Sequence, residues 1–201
     1  MRRLRKDSGK NSPKEYDRIF KVRREQGVDS QDKRRWKKLL KFYKGGDLLD
    51  IGCLDSVIPA KIYPNRYFGI DLSEEVISRM EVYHPYAWFY VQDLYKMKFS
   101  KNRFNYIVMG EVLEHLEDPK KAIKEATRVL KPGGVLALST PLEETELGEV
   151  DKERHLWSFS KQDMFDLLSP YGEVTVKRLG SEWFPRYKYH FPTIIAYCKK
   201  R

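Results

Sequence analysis

The chain has 201 residues and a mass of 23.9 kDa, with 41% hydrophobic, 34% charged and 13% aromatic residues. At about 100–200 residues per domain this allows one full domain with an appendage, not two large ones, and no apolar run nears the ~18 residues that cross a bilayer, which excludes a transmembrane helix. The formal net charge of +10 is uneven: residues 1–44 hold 17 Lys or Arg and 6 Asp or Glu, a net of +11, and the rest is near neutral at −1.

The chain therefore reads as a basic arm, 1–44, joined to a domain at 45–201. The first dozen residues are polar, lack periodicity and are expected to be disordered. Beyond Pro13, Tyr16, Ile19, Phe20 and Val22 would share one face of a short helix. Trp36, Leu39, Leu40 and Tyr43 follow a helical stripe that Gly45-Gly46 ends. The arm has two readings, an electrostatic footprint for phosphates or a solvated helix face packed on the domain. The basic start is not followed by an apolar stretch, and the two cysteines, Cys53 and Cys198, make no disulfide framework. A cytoplasmic protein with no membrane partner is expected.

From Asp47 onward, apolar runs alternate with amphipathic ones. Strands are predicted at 48–52, 66–72, 87–94, 104–110 and 134–140, with helices at 56–62, 74–82, 111–116 and 118–130. Asp118 and Pro119 open the last helix, and Pro132-Gly133-Gly134 stops it. Such alternation implies βαβ crossovers and an α/β fold, a doubly wound, mostly parallel sheet. A helix at 160–169 capped by Ser160 precedes strands 173–179 and 193–200. The segment between those strands is too short for a helical crossover, so they should be antiparallel neighbours at the sheet edge.

In an open parallel sheet, ligands bind beyond the carboxyl ends of the strands, where strand order reverses. The residues there are Asp50, Gly52 and Cys53, then Asp71 and Leu72, then Asp93 and Leu94, then Gly110 and Glu111. Three of the first four strands end in or beside an aspartate. Carboxylates accept hydrogen bonds from hydroxyls and amines and repel phosphate, which favours a nucleoside ligand. No phosphate-cradling glycine loop is present. Asp71 lies at the distance from Gly52 where an acid holds both hydroxyls of an adenosine ribose.

LLDIGC, GIDLSEEVI, VQDL and the near-continuous FNYIVMGEVLEHLEDPKKAIKEATRVLKPGGVLALSTP resemble the class I S-adenosylmethionine-dependent methyltransferases, in particular the group containing the ubiquinone-pathway O-methyltransferases. The resemblance runs from about Leu48 to Leu168. It implies a seven-stranded Rossmann-like methyltransferase fold, S-adenosylmethionine as cofactor, Asp71 on the ribose and Asp93 near the adenine amine. One departure stands out. The family's first motif carries glycines where this chain has Leu54 and Ser56, and glycine there permits positive φ and close approach to a ligand.

Methyl transfer is an in-line displacement that needs alignment and, for some acceptors, removal of a proton. On a helix Glu111, Glu114 and His115 would share a face. His115 is the candidate base for a hydroxyl and Glu111 the orienting group. This cluster, with His155, also has the residue types of a divalent-metal site, but the same residues form the family's ordinary helix start and no metal is assigned. The expected acceptor is a small molecule, methylated on oxygen or nitrogen. Two alternatives stand: an RNA or other polyanion guided by residues 1–44, and a binding module that has lost turnover through Leu54. Residues 142–154 read as a lid over the substrate or a plain surface loop, and the aromatic stretch 183–191 as a pocket wall or an edge hairpin.

Overall fold

The computed structural model describes residues 1–4, 6–7, 9, 11–18, 30–54, 58, 62–142, 154–179 and 192–201. In chain order its elements are β1 (Arg2–Arg3), α1 (residues 13–18), α2 (Ser30–Leu39), β2 (Leu48–Ile51), β3 (Tyr67–Asp71), α3 (Glu74–Tyr83), β4 (Trp88–Val91), β5 (Phe104–Gly110), α4 (Pro119–Val129), β6 (Leu130–Pro141), β7 (Trp157–Ser158), α5 (Lys161–Leu168), β8 (Gly172–Leu179) and β9 (Thr193–Lys200). Seven strands form one sheet in the order β4-β3-β2-β5-β6-β9-β8. The first five are mutually parallel, and β9 runs antiparallel to both β6 and β8. The two C-terminal strands thus pair antiparallel at the sheet edge, with β9 inside and β8 outermost. Strand order reverses at β2, which lies between β3 and β5.

Every residue of β2 and β3 is buried, as expected of parallel strands covered on both faces. Trp36 and Leu39 of α2 and Val76, Ile77 and Met80 of α3 pack on one face. Ile123, Ala126 and Val129 of α4 and Met164 and Leu168 of α5 pack on the other. The helix starts follow their caps. The Ser73 and Asp118 side chains accept from the N–H groups of Val76 and Lys121, and Ser160 forms a reciprocal capping box with Asp163. At the far end of α4, Lys200 Nζ donates to the carbonyls of Thr127 and Leu130, both at 2.7 Å, and to Asn102 Oδ1 at 3.0 Å. These carbonyls lack partners within the helix. Lys200→Met should therefore lower the unfolding free energy by about 2 kcal/mol in urea titrations; an unchanged midpoint would show that water serves the carbonyls equally well.

Three expectations need correcting. The first dozen residues include an ordered strand: β1 pairs with β7, Arg3 lies over the Trp157 ring and binds Glu117, and Leu4 N–H reaches the Leu156 carbonyl. Polarity concealed this because β1 gains its order from distant partners. The predicted helix at 111–116 is one 3-10 turn, Leu113–His115, because Glu111 leaves β5 with φ +56 and breaks the helical path. The Lys131-Pro132-Gly133-Gly134 turn forms the irregular start of β6, with Gly133 at φ +75. The predicted helix 56–62, apart from Ile58 and Ile62, lies outside the described residues. So do Ile19, Phe20 and Val22, nearly all of the 142–154 loop and the 183–191 stretch.

Candidate active site

The loops at the carboxyl ends of β2, β3 and β4 are tied together around Asp71. The N–H groups of Gly52 and Cys53 donate to the Ile70 carbonyl at 2.9 and 3.1 Å, and Leu54 N–H donates to Asp71 Oδ2 at 3.2 Å. Ser73 N–H donates to Asp71 Oδ1 at 3.1 Å, and Gln92 N–H to the Asp71 carbonyl at 3.0 Å. Gly52 has φ +70, and a Cβ there would lie 2.7 Å from Val112 Cγ2, so the β2 turn presses directly on the turn after β5. Leu54, where the family pattern has glycine, does adopt positive φ, at +34. Burial raises the Asp71 pKa, the N–H groups of Ser73, Leu54 and Leu72 oppose that rise, and the Asp17 charge adds to it.

The other strand-end residues divide by position. Leu72 is exposed beside Asp71, and Leu94 is half-buried in the turn after β4. Asp93 is exposed and accepts from Tyr95 N–H at 2.8 Å. Asp50 is fully buried under the rim, where Tyr67 OH donates to its Oδ2 at 2.7 Å. The Cys53 thiol is turned into the core near Gly69, so Cys53 meets the rim through its backbone. Gly110 lies under α2, where a Cβ would touch Leu39 and Trp36 at 3.4 Å.

Glu111, Glu114 and His115 do not share an α-helical face, yet Glu114 and His115 meet His155. One ligand atom from each of these three lies within 4.8 Å of the others, and no second group of this kind occurs among the described residues. Three such donors could hold a divalent cation. Glu114 is 1% exposed and accepts from Thr140 Oγ1 at 3.0 Å. Its pKa is pushed up to about 8, first by burial and then by the Glu111 charge, against the opposing influence of His155. Glu111 lies 3.8 Å from Arg35 of α2. His115 Nδ1 is 3.3 Å from the Arg154 carbonyl. A carbonyl only accepts, so neutral His115 carries its proton on Nδ1 and leaves Nε2 as the basic nitrogen.

α1 lies across this rim. The Tyr16 ring meets the edge of His115, with centroids 6.4 Å apart. Its phenol pKa is raised by burial and then by Asp71, with Arg154 opposing. The neighbouring Asp17 carboxylate accepts from Ser73 Oγ. Tyr16, Asp17, Arg35 and Arg154 are site residues that sequence reasoning missed. The available signal was Tyr16 on the apolar face of a predicted helix, but the surface that face covers, at His115, is distant in sequence.

The donor set has the chemistry an adenosine-bearing methyl donor needs: the Asp71 carboxylate at the end of β3, backbone N–H groups beside it, and an apolar Leu72 next to it. Glu114 Oε1 and Ser139 Oγ are buried at the β5–β6 end of the rim without a hydrogen-bond partner among the described residues.

A family model described as a methyltransferase domain matches residues 28–182. The chain belongs to the class I S-adenosylmethionine-dependent methyltransferase family. It is 31% identical over 103 residues to a ubiquinone biosynthesis O-methyltransferase of Coxiella burnetii, covering 48% of this chain and 44% of that protein. The chain thus spans less than half the length of the curated relatives it matches. A Haloferax volcanii methyltransferase solved with the Trm112 methyltransferase activator aligns with TM-score 0.71 at 15% identity, over 93% of this chain and 98% of that one. The N-methyltransferase NodS from Bradyrhizobium japonicum, solved with S-adenosyl-L-homocysteine, aligns with TM-score 0.65 at 18% identity over 85% of each chain. At such identities the two likenesses establish the fold alone. They agree with the mixed α/β sheet of this chain.

Proposed function

We propose that this methyltransferase transfers the methyl group of S-adenosylmethionine to an oxygen or nitrogen of a small-molecule acceptor. The observation that carries this reading is the rim itself: Asp71 gathers the ends of β2, β3 and β4, and the Glu114–His115–His155 group stands beside it at the end of β5. Asp71 would accept from the ribose hydroxyls, Leu72 and Leu94 would flank the adenine, and Asp93 would accept from its amine. Gly52 lets the β2 turn close on Val112 and Gly110 lets α2 close on the end of β5, which shapes the rim where the donor would lie, and Cys53 contributes its backbone. Asp50 supports the rim from below through Tyr67. When bound, S-adenosylmethionine supplies an electrophilic methyl group on a sulfonium.

His115 Nε2 takes the proton that the acceptor hydroxyl or ammonium loses, and the Arg154 carbonyl holds the imidazole in the tautomer that can do so. Glu111, steadied by Arg35, orients the acceptor. Tyr16 roofs the rim and limits the space above it, which suits a compact acceptor better than a polymer. Transfer of a labelled methyl group from S-adenosylmethionine into a panel of phenols and amines tests this. Label in one of these pools is the expected result; label confined to added RNA would contradict the choice of acceptor.

A further inference from the structure

We propose that the outer face of α2 and the adjoining corner of β8 and β9 form a docking surface for the phosphate backbone of a single-stranded nucleic acid. This goes beyond the small-acceptor reading and does not depend on it. α2 is two-sided: Trp36 and Leu39 are buried against the sheet, and Arg34, Lys37, Lys38, Lys41 and Lys44 on the helix and the turn after it are exposed. Tyr197 OH and Tyr106 OH bind the carbonyls of Lys38 and Leu39, fixing the helix end and the cations on it. Arg34, Lys37, Lys38 and Lys44 make no ion pair with any described residue, and Lys41 lies over the Phe42 ring at 5.1 Å.

The row extends onto the sheet. The side of β8 and β9 that packs under α2 through Ile195 and Tyr197 also carries Lys177 and Lys199, both exposed. Among the described residues of that face, Glu173, opposite Lys199, is a carboxylate. A folded surface that gathers this many like charges without pairing them stores repulsion, which a polyanion relieves by releasing its condensed counterions.

On α2 itself Arg34 is followed by Lys37 and Lys38 three and four residues on, a rise of about 4.5–6 Å, close to the repeat of an extended sugar-phosphate chain. Phe42, 39% exposed and edge-on to Tyr197 at 4.7 Å, offers a face for a base to stack on. A lipid surface is a poorer match. Membrane-lying helices bury apolar side chains between their cations, and most exposed large apolar residues here fall within 63–91, around β3 and β4 at the opposite edge of the sheet.

Fluorescence anisotropy of the full chain with a labelled mixed-sequence single-stranded RNA of about 20 nucleotides tests the proposal. The chain should bind with an affinity that falls steeply with salt. The combined variant Lys37→Gln, Lys38→Gln, Lys41→Gln, Lys44→Gln should bind about 100-fold more weakly at 0.1 M salt. Its log–log salt slope should shrink by about 3, at roughly 0.7 per phosphate released. Binding of S-adenosylhomocysteine should be equal in both proteins, which reports on the fold and the proposed donor site separately. The proposal is overturned if the chain does not bind RNA at 50 mM salt, if the variant binds as well as the parent, or if the chain binds only phosphatidylserine vesicles.

Discussion

Asp71→Asn is expected to weaken binding of S-adenosylhomocysteine by about 30- to 100-fold. A carboxylate has about four lone-pair sites. In Asp71 one site on each oxygen already accepts, from Ser73 and from Leu54, and under the proposed function the remaining sites would take up the ribose diol. A hydrogen bond to a charged group contributes about 1.5–3 kcal/mol, and 1.4 kcal/mol is tenfold in affinity. Asparagine keeps one acceptor and sets an amide donor against either the diol or the Leu54 N–H. Since Leu54 holds a positive φ through that contact, the variant also loosens the β2 turn. Affinity should fall as pH drops into the carboxylate range, because a protonated Asp71 accepts less well. Calorimetry reads both effects; an Asp71→Asn variant with unchanged affinity would remove Asp71 from the donor site.

The second large effect concerns the β5 end. His115→Ala should reduce kcat by about 10²–10⁴, the usual contribution of a positioned base, with little change in the KM for S-adenosylmethionine. Glu114 should reveal itself through stability. Its pKa is raised from 4.5 to about 8, so the folded protein holds a proton that the unfolded chain releases above about pH 4.5. Stability contributed by the neutral carboxyl is therefore present at low pH and lost as pH rises toward 8, where the folded group also ionises. Glu114→Gln cannot ionise and should gain on the parent between pH 5 and pH 9 in urea unfolding. Parallel curves for the two proteins would mean that Glu114 is not buried as a neutral acid.

The parts of this fold that could be read from sequence are those fixed locally. β5 and β9 start and stop where their apolar runs do, and α4 begins at the Asp118-Pro119 signal. Asp71 was legible because a strand end in a parallel sheet has one address. Glu114 and His115 were placed correctly near the β5 end, but on the wrong local structure, since nothing in EVLEH announces the left-handed Glu111 that turns the chain. β1 and Tyr16 depended on partners more than 95 residues away, on β7 and at His115. Leu54 shows the reverse case. Its dislike of positive φ is plain from its side chain, and the structure imposes that φ because three successive N–H groups reach toward β3.

A crystal structure of the chain grown with S-adenosylhomocysteine tests the central claim most directly. Both ribose hydroxyls are expected on the Asp71 carboxylate, the adenine beside Leu72, and the sulfur toward the His115 end of the rim. A ligand bound elsewhere, or a rim with Asp71 still satisfied by Leu54 and Ser73 alone at saturating ligand, would contradict it.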